Sequence, residues 1–181
     1  MKRVRIAALA WVLAGGVLPS TATGQVITGQ ITNWVESGPV LLIGDGVNGV
    51  HIWWSINTFN RGWFYGSAIS GSGNSSVAHA VGITDVHQIA DAGVFAFTPN
   101  VVGPLCDAVC DPDHVGEFVV WRNNTTGYYG VLRIDSITGS RAHASYLNGT
   151  WWFQRDGTGD FRDIPVAVEP VSWSQTKMLY R

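Results

Sequence analysis

Lysine is almost missing from this chain: of eleven cations only Lys2 and Lys177 are lysines, and the arginines are scattered rather than clustered. Nucleic-acid binding draws on clustered cations that release phosphate counterions, so a nucleic acid is excluded as the expected partner. Charge of either sign is sparse, at 13% of residues, while 12% are aromatic, and this balance excludes a disordered chain. No stretch beyond residue 24 holds the ~20 apolar residues that a membrane-spanning helix needs. Catalytic signatures are lacking as well. There is no GxSxG nucleophile elbow, and none of the five histidines is followed by glutamate, as a zinc-protease helix requires.

What is present begins with a leader. Lys2, Arg3 and Arg5 precede the apolar run Ile6 to Leu18, and small and polar residues follow up to Gly24, the layout of a secretory signal peptide. Residues 1–24 are therefore expected to be removed and the remainder to be secreted or extracytoplasmic, with no membrane span. Taking 24 residues from 181 leaves 157, enough for one β-rich domain over 25–181 with its own core. Removing Lys2, Arg3 and Arg5 leaves eight cations against thirteen acids, a formal charge of −5.

Strand and turn signals alternate with least ambiguity between Gly116 and Phe161. Glu117 to Arg122 and Tyr128 to Ile134 flank the polar turn Asn123 to Gly127. Asn148-Gly149 lies between Ala144 to Leu147 and Thr150 to Gln154, which predicts a type I′ hairpin with positive φ at both central residues. Earlier strands are predicted at Gln25 to Trp34, Pro39 to Ile43, Val50 to Ile56 and Gly62 to Ile69, the first pairing with its neighbour in sequence. Gly44, Gly46 and Gly49 match GxGxxG, but the β-branched and aromatic run Val50 to Ile56 follows where a phosphate-binding loop needs a helix; a glycine-rich turn between strands is expected instead.

Val86, Ile89 and Ala90 recur at helical spacing within 83–93, with Thr84 to cap and Gly93 to end one short helix. Val166, Val168, Val171 and Trp173 supply one or two closing strands. The fold class is all-β, mostly antiparallel: a sandwich or partly closed barrel of about nine or ten short strands with that one helix.

Cys106 and Cys110 sit in a proline-interrupted loop of an exported chain, and a local disulfide between them is expected. Asp111, Asp113 and His114 follow at once and offer zinc ligands as the rival, though the spacing matches no zinc motif. Asp156, Asp160 and Asp163 are weak candidates for calcium, each more simply a turn former bonding nearby amides. Neither a metal nor a cofactor is expected.

Eight of nine tryptophans survive removal of the leader, four of them in the pairs Trp53-Trp54 and Trp151-Trp152. Adjacent residues on a strand point to opposite faces, so both members are covered only where both faces are covered. His51, Trp53 and Ser55 share one face of their strand and Ile52, Trp54 and Ile56 the other. An exposed indole offers an apolar platform with a polar edge, suited to a sugar ring or a protein interface. The sequence therefore points to a non-catalytic binding or surface-associated module that uses Trp53, Trp54, Trp151 or Trp152 on a polysaccharide or another extracellular protein. The alternative is an extracellular hydrolase whose carboxylates or His/Asp pair the fold assembles from distant positions.

The leader is tested by intact mass. Protein recovered from culture supernatant is expected to begin at Gln25; a cell-retained product that still begins at Met1 contradicts it.

Overall fold

The computed structural model describes residues 26–56, 62–66, 74–99, 101–102, 115–139 and 144–164. Among these residues nine strands form two antiparallel sheets that are not closed into a barrel. They are β1 (Val26–Val35), β2 (Leu41–Ile43), β3 (Val50–Ile56), β4 (Gly62–Tyr65), β5 (Ser75–His79), β6 (Val101–Val102), β7 (Phe118–Asn123), β8 (Tyr129–Gly139) and β9 (Ser145–Gln154). The larger sheet runs β1-β9-β8-β7-β5 and the smaller β2-β3-β4-β6.

Between the sheets lies an aromatic-rich core. Val50, Ile52, Trp54 and Ile56 are the inward members of β3, and they meet Val119, Trp121, Leu132 and Ile134 of the larger sheet. Trp121 stands edge-on to Phe64 at 6.0 Å, and its indole N–H donates to the Tyr65 carbonyl at 2.9 Å. Full burial of such side chains contributes about 1.5–3 kcal/mol each, which makes this layer the main source of cohesion between the sheets.

The larger sheet is covered on its other face too. Val86, Ile89, Ala92 and Phe161 pack on Phe118, Val120, Val131 and Trp152. Here the structure corrects the helix expected at 83–93. Only two short 3-10 turns form, Val86–Gln88 and Ala92–Val94. The competing hydrogen bonds give the reason: Ala92 N–H donates to the Gly159 carbonyl at 2.8 Å, and the Ile89 carbonyl accepts Phe161 N–H at 2.9 Å. Groups that a helix would use internally instead tie 89–92 to 159–161. Asp85, not Thr84, caps the first turn by accepting His87 N–H, and Asp91 caps the second by accepting Gly93 N–H.

Two further expectations are revised. β1 pairs with β9, not with β2. The connection after Val35 passes between sheets, with Glu36 N–H on the Ser145 carbonyl and Ser37 N–H on the Trp54 carbonyl. Asn148-Gly149 is not a turn: both residues lie within the continuous strand β9. Each neighbour of β9 bulges around them, β8 between Ile134 and Ser136 and β1 between Ile31 and Trp34. Asn148 bridges the two bulges, its Oδ1 accepting Asn33 N–H at 2.8 Å and its Nδ2 donating to Ser136 Oγ at 2.9 Å. Asn33 takes the positive φ of 52° that its bulge needs. Gly149 serves close approach rather than positive φ.

The GxGxxG segment is the turn between β2 and β3, as its context requires. The fully buried Asn123 holds it, donating through Nδ2 to the Val47, Asn48 and Gly49 carbonyls while its Oδ1 accepts Thr125 and Thr126 N–H. Cys106 and Cys110, the Asp111, Asp113 and His114 group, and the closing strands expected after Ile164 lie outside the described residues.

A Cβ at Gly149 would stand 2.7 Å from both the Arg133 carbonyl oxygen and Leu132 Cδ1. Gly149→Val is therefore expected to destabilise the protein by about 1–3 kcal/mol through overpacking. A denaturant midpoint equal to that of the parent protein contradicts the packing of β9 against β8.

Candidate functional site

Each tryptophan pair splits between two environments. Trp54 is fully buried between the sheets, 6.1 Å from Trp34, while Trp53 is half-buried on the outer face of the smaller sheet. Trp152 is 8% exposed, stacked on Phe118 at 6.1 Å with the Arg133 guanidinium 5.8 Å from its ring centre. Trp151 is half-buried on the inner face of the larger sheet, packed against the core and over Gly29, where a Cβ would lie 2.5 Å from its ring. The second layer over the larger sheet is what covers Trp152.

The outer face of the smaller sheet collects what the alternation of β3 and β4 turns outward. Cross-strand partners share a face, and Leu42 pairs with His51, Trp53 with Tyr65, and Ser55 with Trp63. Val101 joins them through its pairing with Tyr65. Leu42 is exposed and the others are half-buried. The Trp53 and Tyr65 rings meet edge to face, with centroids 4.6 Å apart at 63°, and Trp53 N–H donates to the Gly38 carbonyl at 2.8 Å. That bond leaves the indole one orientation. Burial pushes the Tyr65 phenol up from its ordinary pKa against the opposing effect of the Ser55 hydroxyl, so Tyr65 is a neutral hydroxyl group at physiological pH. No Asp, Glu, Lys or Arg lies at these positions.

Asp156 and Asp160 take local partners. Asp156 accepts Thr158 N–H and its hydroxyl, and Asp160 accepts the Arg162 guanidinium and backbone N–H. The Arg162 contacts, side chain first, hold the Asp160 carboxyl below the usual range. Asp163 is exposed. Among the described residues no three His, Cys, Asp or Glu side chains gather where they could hold a metal ion, so Asp156, Asp160 and Asp163 are not brought together. Two histidines touch carboxylates, His79 with Glu117 and His87 with Asp85, each at 2.7 Å. The second is part of a 3-10 cap rather than a cleft.

Trp63 and Tyr65 complete the aromatic face that Trp53 begins, and the sequence signal for them is the same two-residue alternation, in a strand whose neighbour in the sheet the sequence does not identify. The division between inner and outer aromatics has a measurable consequence. Trp54→Ala is expected to lower stability by about 3–5 kcal/mol, as large-to-small changes in a packed core do. Trp63→Ala is expected to cost about 1 kcal/mol. Chemical denaturation checks both, and equal losses would contradict the assignment of faces.

Comparison with protein-family models, with curated proteins and with solved structures finds no match to this chain.

Proposed function

We propose that this chain is an exported, non-catalytic binding module that stacks a neutral polysaccharide on the outer face of its smaller sheet. The observation that carries this reading is the juxtaposition of Trp53, Trp63 and Tyr65 on one face of β3 and β4, where none of the described residues paired on that face is an acid, a lysine or an arginine. Aromatic rings favour the C–H-lined faces of pyranose units, and their polar edges tolerate the surrounding hydroxyls. Uncharged side chains at these paired positions suit a neutral chain better than a uronic acid polymer or a charged peptide. Strand-borne side chains, one of them pinned by a backbone hydrogen bond, lose little further entropy on binding. Trp53 is retained from the tryptophan pairs as a ligand contact, and Trp63 and Tyr65 are added to it. Trp54 and Trp152 act through packing.

A glycan array of neutral polysaccharides supplies the ligand, and calorimetry its affinity. Trp53→Ala and Trp63→Ala are each expected to weaken binding by about tenfold, equivalent to about 1.4 kcal/mol, with the fold retained. An empty array, or a ligand that both variants hold as tightly as the parent protein, overturns the reading. A protein captured from secreted material and lost on Trp63→Ala would move the site to a protein interface.

A further inference from the structure

The aromatic face ends at His51, and the groups around that imidazole decide which of its nitrogens carries the proton. The His51 backbone N–H donates to Ser75 Oγ at 3.0 Å. Ser75 Oγ lies 2.9 Å from Asn74 Oδ1, which is also 2.8 Å from His51 Nδ1. A backbone N–H can only donate, so the Ser75 oxygen accepts it and directs its own hydrogen elsewhere. Ser75 is fully buried, and Asn74 is the acceptor beside its hydroxyl. If Asn74 presented its amide nitrogen here, the buried hydroxyl would lose the acceptor it has among the described residues, which costs about 1–3 kcal/mol. The contacting atom is therefore the amide oxygen. That oxygen cannot donate to the ring, so Nδ1 carries the hydrogen, and in the neutral imidazole Nε2 keeps its lone pair.

We infer that Asn74 and Ser75 lock His51 as the Nδ1–H tautomer, and that its Nε2 accepts a hydrogen bond from a ligand hydroxyl at the end of the aromatic face. This rests on the saccharide reading of the same face and adds the group that discriminates within it. Indole and phenol faces accept any ring with an apolar side, because stacking has little directional demand. A fixed acceptor demands a donor: a sugar that places a hydroxyl there is favoured, and one that places an ether oxygen or a carboxylate there leaves two lone pairs opposed. His51 lies on the outer face, paired across the strands with Leu42 and two residues from Trp53, both of them largely apolar side chains. His51 is a binding residue in this account; Asn74 and Ser75 are positioning residues that act through it.

The test joins a nuclear magnetic resonance readout to binding. Two-bond nitrogen–proton correlation on the neutral ring of the parent protein is expected to show a protonated-type shift at Nδ1 and an unprotonated-type shift at Nε2. Asn74→Ala is expected to move the population toward the Nε2–H form. With gluco-, xylo- and manno-hexaoses as probes, His51→Phe keeps a flat ring without the acceptor and is expected to lose about tenfold in affinity, the scale of one hydrogen bond. Asn74→Ala, which leaves the ring itself in place, is expected to lose a similar factor. An Nε2–H tautomer in the parent protein overturns the inference. So does unchanged affinity in His51→Phe for a hexaose whose binding Trp63→Ala weakens. Failure of every hexaose and every arrayed polysaccharide overturns the saccharide reading, and the ligand assigned to His51 with it; the tautomer is decided by the resonance signal alone.

Discussion

The indole of Trp121 between the two sheets is the contact on which the arrangement of the rest depends. It packs edge-on against Phe64 and donates its N–H to the carbonyl of Tyr65, so one side chain of the larger sheet sets both the position and the orientation of β4. Trp54 and Trp34 extend the same aromatic layer toward the other end of the sandwich. Once Phe64 and Trp54 point inward, strand alternation leaves Trp63, Tyr65 and Trp53 no position except the outer face. The aromatic surface is thus a consequence of the core: a one-residue slip of β4 would bury its outer members and expose Phe64.

The two sides of the sandwich differ in the same way. Beside β5, Thr98 exchanges backbone hydrogen bonds with Val77 of the larger sheet, and Val101 and Val102 pair as β6 with β4 of the smaller one. On the larger sheet, the turns at 85–94 and the loop at 155–164 hold each other through backbone bonds and cover Trp152. Among the described residues the outer face of the smaller sheet has no such layer, and for that reason it is the face taken as the site.

How much of this was legible depended on whether the governing force was local. The alternation in Val50 to Ile56 puts Trp53 and Trp54 on opposite faces without any knowledge of the partner strands, because period two is a property of the strand itself. Which of them is buried is set by the sheet packed on Trp54. The glycines at 44, 46 and 49 are legible as a turn because the strand after them is plain. Local pattern failed where distant groups compete for the backbone. At 83–93 the apolar spacing was helical, yet Gly159 and Phe161 took the hydrogen bonds a helix would have needed. Asn148-Gly149 carries strong turn chemistry, but the same two properties, a short amide side chain and a missing Cβ, also fit a strand flanked by bulges on both sides. Trp63 and Tyr65 could be placed on a face but not joined to Trp53 until the β3–β4 register was known. The Asn74–Ser75–His51 cycle spans 24 residues of sequence and had no local signature.

The functional account therefore comes down to which aromatic residues a ligand covers. Hydroxyl-radical footprinting, read residue by residue with mass spectrometry on the protein free and saturated with its polysaccharide, addresses this directly. The account predicts strong protection of Trp53, Trp63 and Tyr65, with Trp151 oxidised to the same extent in both states. Protection centred on Trp151, or none on β3 and β4 under saturating ligand, would contradict it.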